Sequence, residues 1–231
     1  MVSGKEAEAA PFYLGVGFMK TGLTSLLRVM QKAGYRGQGK SRPLFFDFIA
    51  GRHDRVMASY AQCDFACDWP HPFMYRRVFR EIPGARFILT TRPEEQWYAS
   101  LLRHCRYAHP VTHSTHYIFG RHYPNGFRDE HLAIYRAHNH AVRAFFAEEG
   151  CPDRLLSIDI RDTDAMDRLK QFVDRPLPFK TFPRENETAG REQERADFAF
   201  RRRWNDVVQP AYAALWPRLR PTPGRRIGTL E

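Results

Sequence analysis

The stretch FYLGVGFMKTGLTSLL, residues 12–27, constrains the fold more than any other part of the chain. Its apolar run at 12–16 predicts a strand, and the apolar spacing over 24–33 predicts a helix. Between them, glycines allow the backbone to curl so that successive N–H groups point inward at an anion, aided by the N-terminus of the helix. The stretch therefore predicts a strand, an anion-binding loop and a helix, in the order that such a loop requires.

Strands and helices continue to alternate along the rest of the chain. Apolar segments bounded by turn residues predict further strands at 63–69, 85–91 and 154–160. This alternation predicts a three-layer, P-loop-type α/β fold with a central, mostly parallel sheet flanked by helices. Ligands of such sheets bind beyond the carboxyl ends of the strands, so we expect the segments after Val16, Cys67 and Leu89 to converge. The predicted helices cover 44–60, 72–82, 94–102, 129–149, 164–173 and two C-terminal stretches, and 104–128 is expected to be irregular.

The composition is that of a packed globular protein with an anionic partner. Of the 231 residues 43% are hydrophobic, and the formal net charge is +10. Because the arginines are dispersed, we expect a phosphate- or sulfate-bearing small molecule as the partner, rather than nucleic acid. Residues 1–10 lack the apolar core of a signal peptide, and no apolar run is long enough to span a bilayer. We expect a disordered leader at 1–10, one domain over 11–231, and a cytoplasmic protein with four free thiols.

The order of residues in the loop bears on its chemistry. A P-loop kinase has a hydroxyl residue directly after the lysine at the helix start, and a carboxylate that helps to hold magnesium. Here a glycine follows the pair Lys20-Thr21, and Arg92 rather than an aspartate ends the strand at 85–91. This order favours a phosphate-like group bound by positive charge without a metal. The candidate ligands are Gly17, Phe18, Met19, Lys20, Thr21, Gly22, Leu23, Thr24 and Ser25.

Two segments together resemble the signatures of one enzyme family. GFMKTGLTSL is similar to the 5′-phosphosulfate loop of sulfotransferases that use 3′-phosphoadenosine 5′-phosphosulfate (PAPS), and FILTTRPEEQWYAS is similar to their second signature. The run CDWPHP further resembles small sulfotransferase-like proteins with a D-W-P motif, and the resemblance spans residues 12–187. It implies that Lys20 reaches the oxygen between phosphate and sulfuryl group, and that Arg92 and Ser100 hold the 3′-phosphate. PAPS is then the co-substrate, adenosine 3′,5′-bisphosphate (PAP) the product, and no metal is needed.

Transfer of a sulfuryl group to a hydroxyl or amine requires a group that accepts the acceptor's proton. Asp68 and His71 are the candidates, since CDWPHP leaves a predicted strand at its carboxyl end. Asp68 matches the D-W-P aspartate of the similar proteins, and a helix cap is the other interpretation of it. His71 has the better intrinsic pKa for a base, but is also typical of an exposed helix start. The small-molecule acceptor itself is not readable from the sequence.

Other interpretations stay open at this point. A kinase using ATP and magnesium shares the architecture, and an inactive nucleotide-binding module would explain why Leu23 stands where the family often has a hydroxyl residue. Aromatic residues near the C-terminus are consistent with a core or with a homodimer interface. Three histidines, His109, His113 and His116, have a spacing that suits zinc, but no cysteine or carboxylate accompanies them.

Overall fold

Five parallel strands form one sheet in the computed structural model, which describes residues 11–108, 114–183 and 196–219. Their order is β2-β3-β1-β4-β5, and each neighbouring pair is parallel, for example Tyr13 beside Phe65 and Arg86. The prediction of a mostly parallel sheet is therefore confirmed. The strands are β1 (Tyr13–Gly15), β2 (Gly37–Gln38), β3 (Phe65–Ala66), β4 (Arg86–Thr90) and β5 (Leu155–Ile158).

Helices separate the strands, as the alternation predicts. Short 3-10 helices at Tyr60–Gln62, His71–Phe73 and Pro152–Arg154 accompany them. The helices are α1 (Leu23–Lys32), α2 (Arg42–Ile49), α3 (His53–Ser59), α4 (Tyr75–Glu81), α5 (Glu94–Cys105), α6 (Ser114–Phe119), α7 (Arg128–Glu148), α8 (Ala165–Phe172) and α9 (Ala196–Leu219). Among the described residues, no helix combines the length and the apolar character needed to cross a membrane.

The described residues fall into two compact units. The first holds 11–91 and 145–183, and with them the whole sheet. The second holds 92–108, 114–144 and 196–219, which comprise α5, α6, α9 and most of α7. The expectation of a single domain over 11–231 stays a prediction.

Both faces of the sheet in the first unit are covered because side chains alternate along each strand. On one face, Tyr13, Phe65 and Ile88 pack with apolar residues of α1 and α8 in a single core cluster. On the other face Phe87 lies against Phe146, with ring centroids 4.7 Å apart, and near α4 through Phe79. Helices, sheet and helices form the three layers.

The second unit is held by aromatic stacking and by polar contacts to α9. The rings of Trp97 on α5 and Tyr135 on α7 are parallel within 9°, with centroids 4.3 Å apart. Asp206 of α9 pairs with Arg106 at 2.7 Å, and Asn205 donates to the carbonyl oxygen of Arg106 at 2.9 Å. The carboxyl-terminal helix therefore has defined partners within its own unit.

Several elements of the structure differ from the sequence predictions. The segment expected to be irregular contains the end of α5 and all of α6, and its residues 109–113 lie outside the described residues. The helix predicted at 72–82 is divided into a 3-10 turn and α4. The C-terminal helices are one helix, α9. Strand β2 was not predicted, because two residues that include a glycine carry no local strand signal; pairing with β3 defines it.

Candidate functional site

The loop between β1 and α1 adopts backbone angles that ordinary residues rarely use. Lys20 has φ of 70° and Gly22 has φ of 101°, both in the left-handed region. A lysine there is uncommon, and the cost of such a conformation is about 1–3 kcal/mol. The surrounding packing holds the loop in this conformation. A Cβ atom on Gly17 would lie 2.1 Å from the Thr90 hydroxyl oxygen, and one on Gly22 would lie 2.1 Å from Ile160 Cδ1.

A short chain of hydroxyl groups ties this loop to the end of β4. Thr21 is 2% exposed, and its Oγ1 donates to the carbonyl oxygen of Phe18 at 2.5 Å. Thr21 Oγ1 also lies 2.6 Å from Thr90 Oγ1. Since a hydroxyl has one proton, the Thr90 hydroxyl is the donor in this second bond. The Thr21 side chain thus stabilises the loop, which leaves its backbone N–H as the group to be considered for anion binding.

Helix α1 presents its N-terminus at the end of the loop. Gly22 is the N-cap, no side chain caps the helix there, and its first turn carries no acidic residue. Backbone amides in the first turn of a helix attract anions, and here no carboxylate competes for them. Thr24 is exposed, whereas Ser25 is only 4% exposed. Leu23 is 4% exposed and belongs to the core, so packing explains the leucine at this position.

Asp68 follows β3 at the same end of the sheet. It also has a positive φ, 66°, and its carboxylate accepts the N–H of Trp69 at 2.8 Å. Burial raises the pKa of Asp68, while the Trp69 N–H and the charges of Lys40 and Lys20 oppose that rise. Lys20 and Asp68 therefore lie close enough to interact electrostatically. A half-buried carboxylate with a raised pKa beside a lysine is typical of a proton acceptor.

Lys40 was not predicted as a member of this site. It comes after β2, whose Gln38 carbonyl accepts the Cys67 N–H at 2.9 Å, and Ser41 N–H donates to the Trp69 carbonyl at 3.2 Å. These two bonds bring the segment of Lys40 alongside that of Asp68. Because β2 carries no strand signal in the sequence, no sequence pattern could have placed this lysine.

His71 lies in a different environment from Asp68. The side chain is 0% exposed, and Nδ1 is 3.0 Å from the hydroxyl of Tyr60. Burial lowers the pKa of His71 to about 4, and a hydrogen bond with the Gly39 backbone opposes that shift. A histidine with no exposed surface does not reach a bound acceptor in this conformation. Of the two residues predicted as the base, Asp68 is the partly exposed one.

An aromatic cluster joins the loop to the segment that carries Asp68. The Phe18 ring is 5.8 Å from Trp69 and 6.0 Å from Phe73, measured between centroids. Trp69 and Phe73 are 5.3 Å apart and edge to face. Such contacts between aromatic rings add about 0.5–1.5 kcal/mol each beyond the burial of their surface. Phe18 itself is 2% exposed, so its side chain is structural and its backbone remains the candidate anion ligand.

Arg92 and Ser100 belong to the second unit. Arg92 is half-buried and lies two residues before α5, and Ser100 is 5% exposed within that helix. The backbone N–H of Arg92 donates to the hydroxyl of Tyr135 at 2.9 Å, and that hydroxyl donates to the Arg92 carbonyl at 3.0 Å. Tyr135 is a further residue that the sequence did not point to, since it is distant in the chain and resembles a core position of α7.

The described residues contain no cluster of histidine, cysteine and carboxylate side chains that could hold a metal ion. Of the three histidines with a zinc-like spacing, His109 and His113 lie outside the described residues, and His116 is exposed on α6. All four cysteines lie within the described residues as free thiols, and Cys63, Cys67 and Cys105 are buried.

The model of the sulfotransferase domain family matches residues 13–191, a range that includes the loop at 17–22, Asp68, Arg92 and Ser100. No curated protein matches the chain significantly.

Proposed function

Since this chain belongs to the sulfotransferase domain family, we propose that it transfers the sulfuryl group of PAPS to a hydroxyl or amine of a small-molecule acceptor. The observation that carries the proposal is the loop from Gly17 to Gly22, with a left-handed lysine and an uncapped helix N-terminus behind it. PAPS, when bound, supplies the sulfuryl group and leaves as PAP. The roles below are those of the protein's own residues.

The loop and the start of α1 fit a 5′-phosphate. Backbone N–H groups from Gly17 to Ser25 bind the phosphate oxygens in this proposal, because no side chain caps the helix and no acidic residue stands in its first turn. The contact of Gly17 with Thr90 and that of Gly22 with Ile160 support a rigid loop, since a methyl group at either position would clash. A preorganised set of donors stabilises developing charge without reorganisation.

Lys20 is proposed to neutralise the oxygen that carries the leaving electron pair. A single mobile ammonium group supplies positive charge at the point where the phosphate–sulfate bond breaks, so a metal ion is not required. The left-handed backbone at Lys20 supports this role, because it sets the direction in which the side chain leaves the loop.

Asp68 is proposed to accept the proton of the attacking hydroxyl or amine. Burial raises its pKa, which makes the carboxylate a stronger base than an ordinary aspartate, and the charges of Lys40 and Lys20 favour its ionised form. The electrostatic interaction of Asp68 with Lys20 supports a base close to the departing group. His71, fully buried against Tyr60, is proposed to support the D-W-P segment.

The 3′-phosphate is proposed to be held by Arg92 and Ser100. A guanidinium group donates paired hydrogen bonds to a phosphate, and the serine hydroxyl adds a further donor. The proposal rests on the match of both residues to the family's second signature, within the range 13–191. The net charge of +10 is consistent with a ligand that carries several negative charges.

Calorimetric titration tests the proposal directly. PAP, ADP, and ATP with magnesium are titrated in parallel at near-physiological salt. We expect PAP to bind at least about tenfold more tightly than the other two, because a matched charge-assisted phosphate contact contributes about 1.5–3 kcal/mol. Tighter binding of ATP with magnesium would favour a kinase over a sulfotransferase. If none of the three nucleotides binds, the protein is an inactive member of this fold.

A further inference from the structure

The hydroxyl group of Tyr135 both accepts a hydrogen bond from the Arg92 backbone and donates one to it. The phenol oxygen accepts the Arg92 N–H at 2.9 Å, and its own proton goes to the Arg92 carbonyl oxygen at 3.0 Å. Arg92 lies after the end of β4 and before the start of α5, and the following Pro93 has no N–H to contribute. Tyr135 therefore secures the turn from which the Arg92 side chain leaves the backbone.

The Tyr135 ring is itself fixed. It is 2% exposed and stacks on Trp97, a fully buried residue whose backbone N–H donates to the Pro93 carbonyl at 2.8 Å. The stack thus joins Tyr135 to the first turn of α5. Because a closely packed aromatic pair allows little movement, the hydroxyl of Tyr135 stays at one position relative to Arg92.

We infer that Tyr135 is a positioning residue for recognition of the 3′-phosphate, acting by holding the Arg92 backbone. This inference rests on the proposed function, in which the Arg92 guanidinium binds that phosphate. A side chain that starts from a fixed backbone loses less conformational freedom when its ligand binds, so affinity rises without a new contact to the ligand. Loss of the Tyr135 hydroxyl should therefore weaken recognition of the 3′-phosphate and leave recognition of the rest of the nucleotide intact.

The test uses the variant Tyr135→Phe, which keeps the ring stack and loses only the hydroxyl. PAP and AMP are titrated separately, since only PAP carries the 3′-phosphate. We expect the affinity for PAP to fall about tenfold, because the two backbone groups of Arg92 lose their partner, and the affinity for AMP to stay the same. In an Arg92→Ala background, Tyr135→Phe should cause no further loss of PAP affinity.

A matched control is available on α5. Tyr98 is half-buried, and its hydroxyl donates to the Pro124 carbonyl at 2.9 Å, also within the second unit. The variant Tyr98→Phe removes a hydroxyl of the same kind that does not contact Arg92. We expect this variant to bind both PAP and AMP as tightly as the wild-type protein does. The comparison shows whether a loss of PAP affinity requires the hydroxyl that contacts Arg92, or follows from the loss of any tyrosine hydroxyl in this unit.

The outcomes separate this inference from the proposed function. Unchanged PAP affinity in Tyr135→Phe, or equal losses for PAP and AMP, would overturn the role of Tyr135. Wild-type protein that binds PAP no better than AMP would instead overturn the proposed 3′-phosphate site. Should Tyr135→Phe not fold, hydrogen exchange at the Arg92 amide of the wild-type protein decides. The inference is supported if the Arg92 amide exchanges slowly and exchanges more slowly still when PAP, but not AMP, is added. It is contradicted if this amide exchanges rapidly with either nucleotide.

Discussion

Lys20 is the residue on which the proposed chemistry most depends, and its backbone conformation is unusual. A lysine is tolerated at a left-handed position only where the surrounding structure holds it. The Thr90–Thr21–Phe18 hydroxyl chain and the close approach of Gly17 to Thr90 supply that support. The strain at this residue and the proposed leaving-group role occur at the same place.

The variant Lys20→Ala separates a leaving-group role from simple binding. We expect the rate of PAPS hydrolysis, with water as acceptor, to fall about 100- to 1,000-fold, and PAP affinity to fall much less, because charge on the oxygen develops only as the bond breaks. Kinetics and calorimetry on one preparation measure the two effects. Lys32→Ala, which changes an exposed lysine at the other end of α1, is the control. Equal losses of rate and affinity would contradict the leaving-group role.

We expect the ionised side chain of Asp68 to contribute to activity but to lower the stability of the folded protein at neutral pH. Its pKa is raised in the folded protein, so the ionised carboxylate disfavours folding at neutral pH, and protonation at lower pH removes this cost. Asp68→Asn keeps an acceptor for the Trp69 N–H and suits the left-handed backbone. We expect this variant to unfold at a higher temperature at pH 7 and to lose about 100-fold in turnover.

Thermal unfolding at several pH values checks this expectation. The advantage of Asp68→Asn should diminish as the pH falls through the pKa of Asp68, where the wild-type carboxyl becomes neutral as well. A variant that is less stable than the wild-type protein at pH 7, or one that keeps full turnover, would remove Asp68 from the proposed role.

At the scale of elements, β4 supports the loop between β1 and α1. Thr90 closes the strand and donates to Thr21 in the loop, and Arg92 follows two positions later. The loop conformation therefore depends on a strand that is distant in sequence but adjacent in the sheet.

Thr90→Val tests this anchor, because valine keeps the shape and removes the hydroxyl proton. We expect the free energy of unfolding to fall by about 1 kcal/mol, and PAP affinity to fall several-fold as the loop loses its fixed position. Thr91→Val is the matched control, since Thr91 sits beside it and its hydroxyl donates to the Ile158 carbonyl at 3.3 Å. Denaturant titration and calorimetry measure both quantities. Similar PAP affinities in the two variants would exclude a special role for Thr90.

Elements with a strong local pattern were predictable, and those defined by partners were not. The strand at 85–91, the loop at Lys20 and the long helix α7 follow from apolar spacing and turn residues. By contrast, β2 exists through its pairing with β3, and Thr90 and Tyr135 matter through contacts to residues far along the chain. A sequence pattern reports local preference, whereas these roles are set by tertiary neighbours.

At the scale of the whole molecule, two buried histidines make stability depend on pH. His71 and His131 are 0% and 1% exposed, and burial lowers the pKa of each to about 4. Both stay neutral in the folded protein while the unfolded chain takes up protons below its ordinary pKa of 6.5. The unfolded state therefore binds more protons between these values, so stability falls as the pH decreases.

We expect the free energy of unfolding to decrease from pH 7 toward pH 4, by on the order of 3 kcal/mol for each histidine. Urea titrations at several pH values measure the slope. His71→Gln should reduce the slope, because it removes one of the two buried histidines. A profile for His71→Gln that is as steep as that of the wild-type protein would show that other groups cause the acid sensitivity.

The buried ring of Phe18 has a consequence for how such a protein can change over time. Phe18 is part of the proposed donor-binding loop, and its neighbours Trp69 and Phe73 flank the segment that carries the proposed base. A substitution that alters acceptor preference by repacking Trp69 would therefore also disturb the loop, because Trp69 contacts Phe18. In a library that randomises these three positions, functional clones should carry paired changes at Phe18 and Trp69, so that acceptor range and donor affinity evolve together.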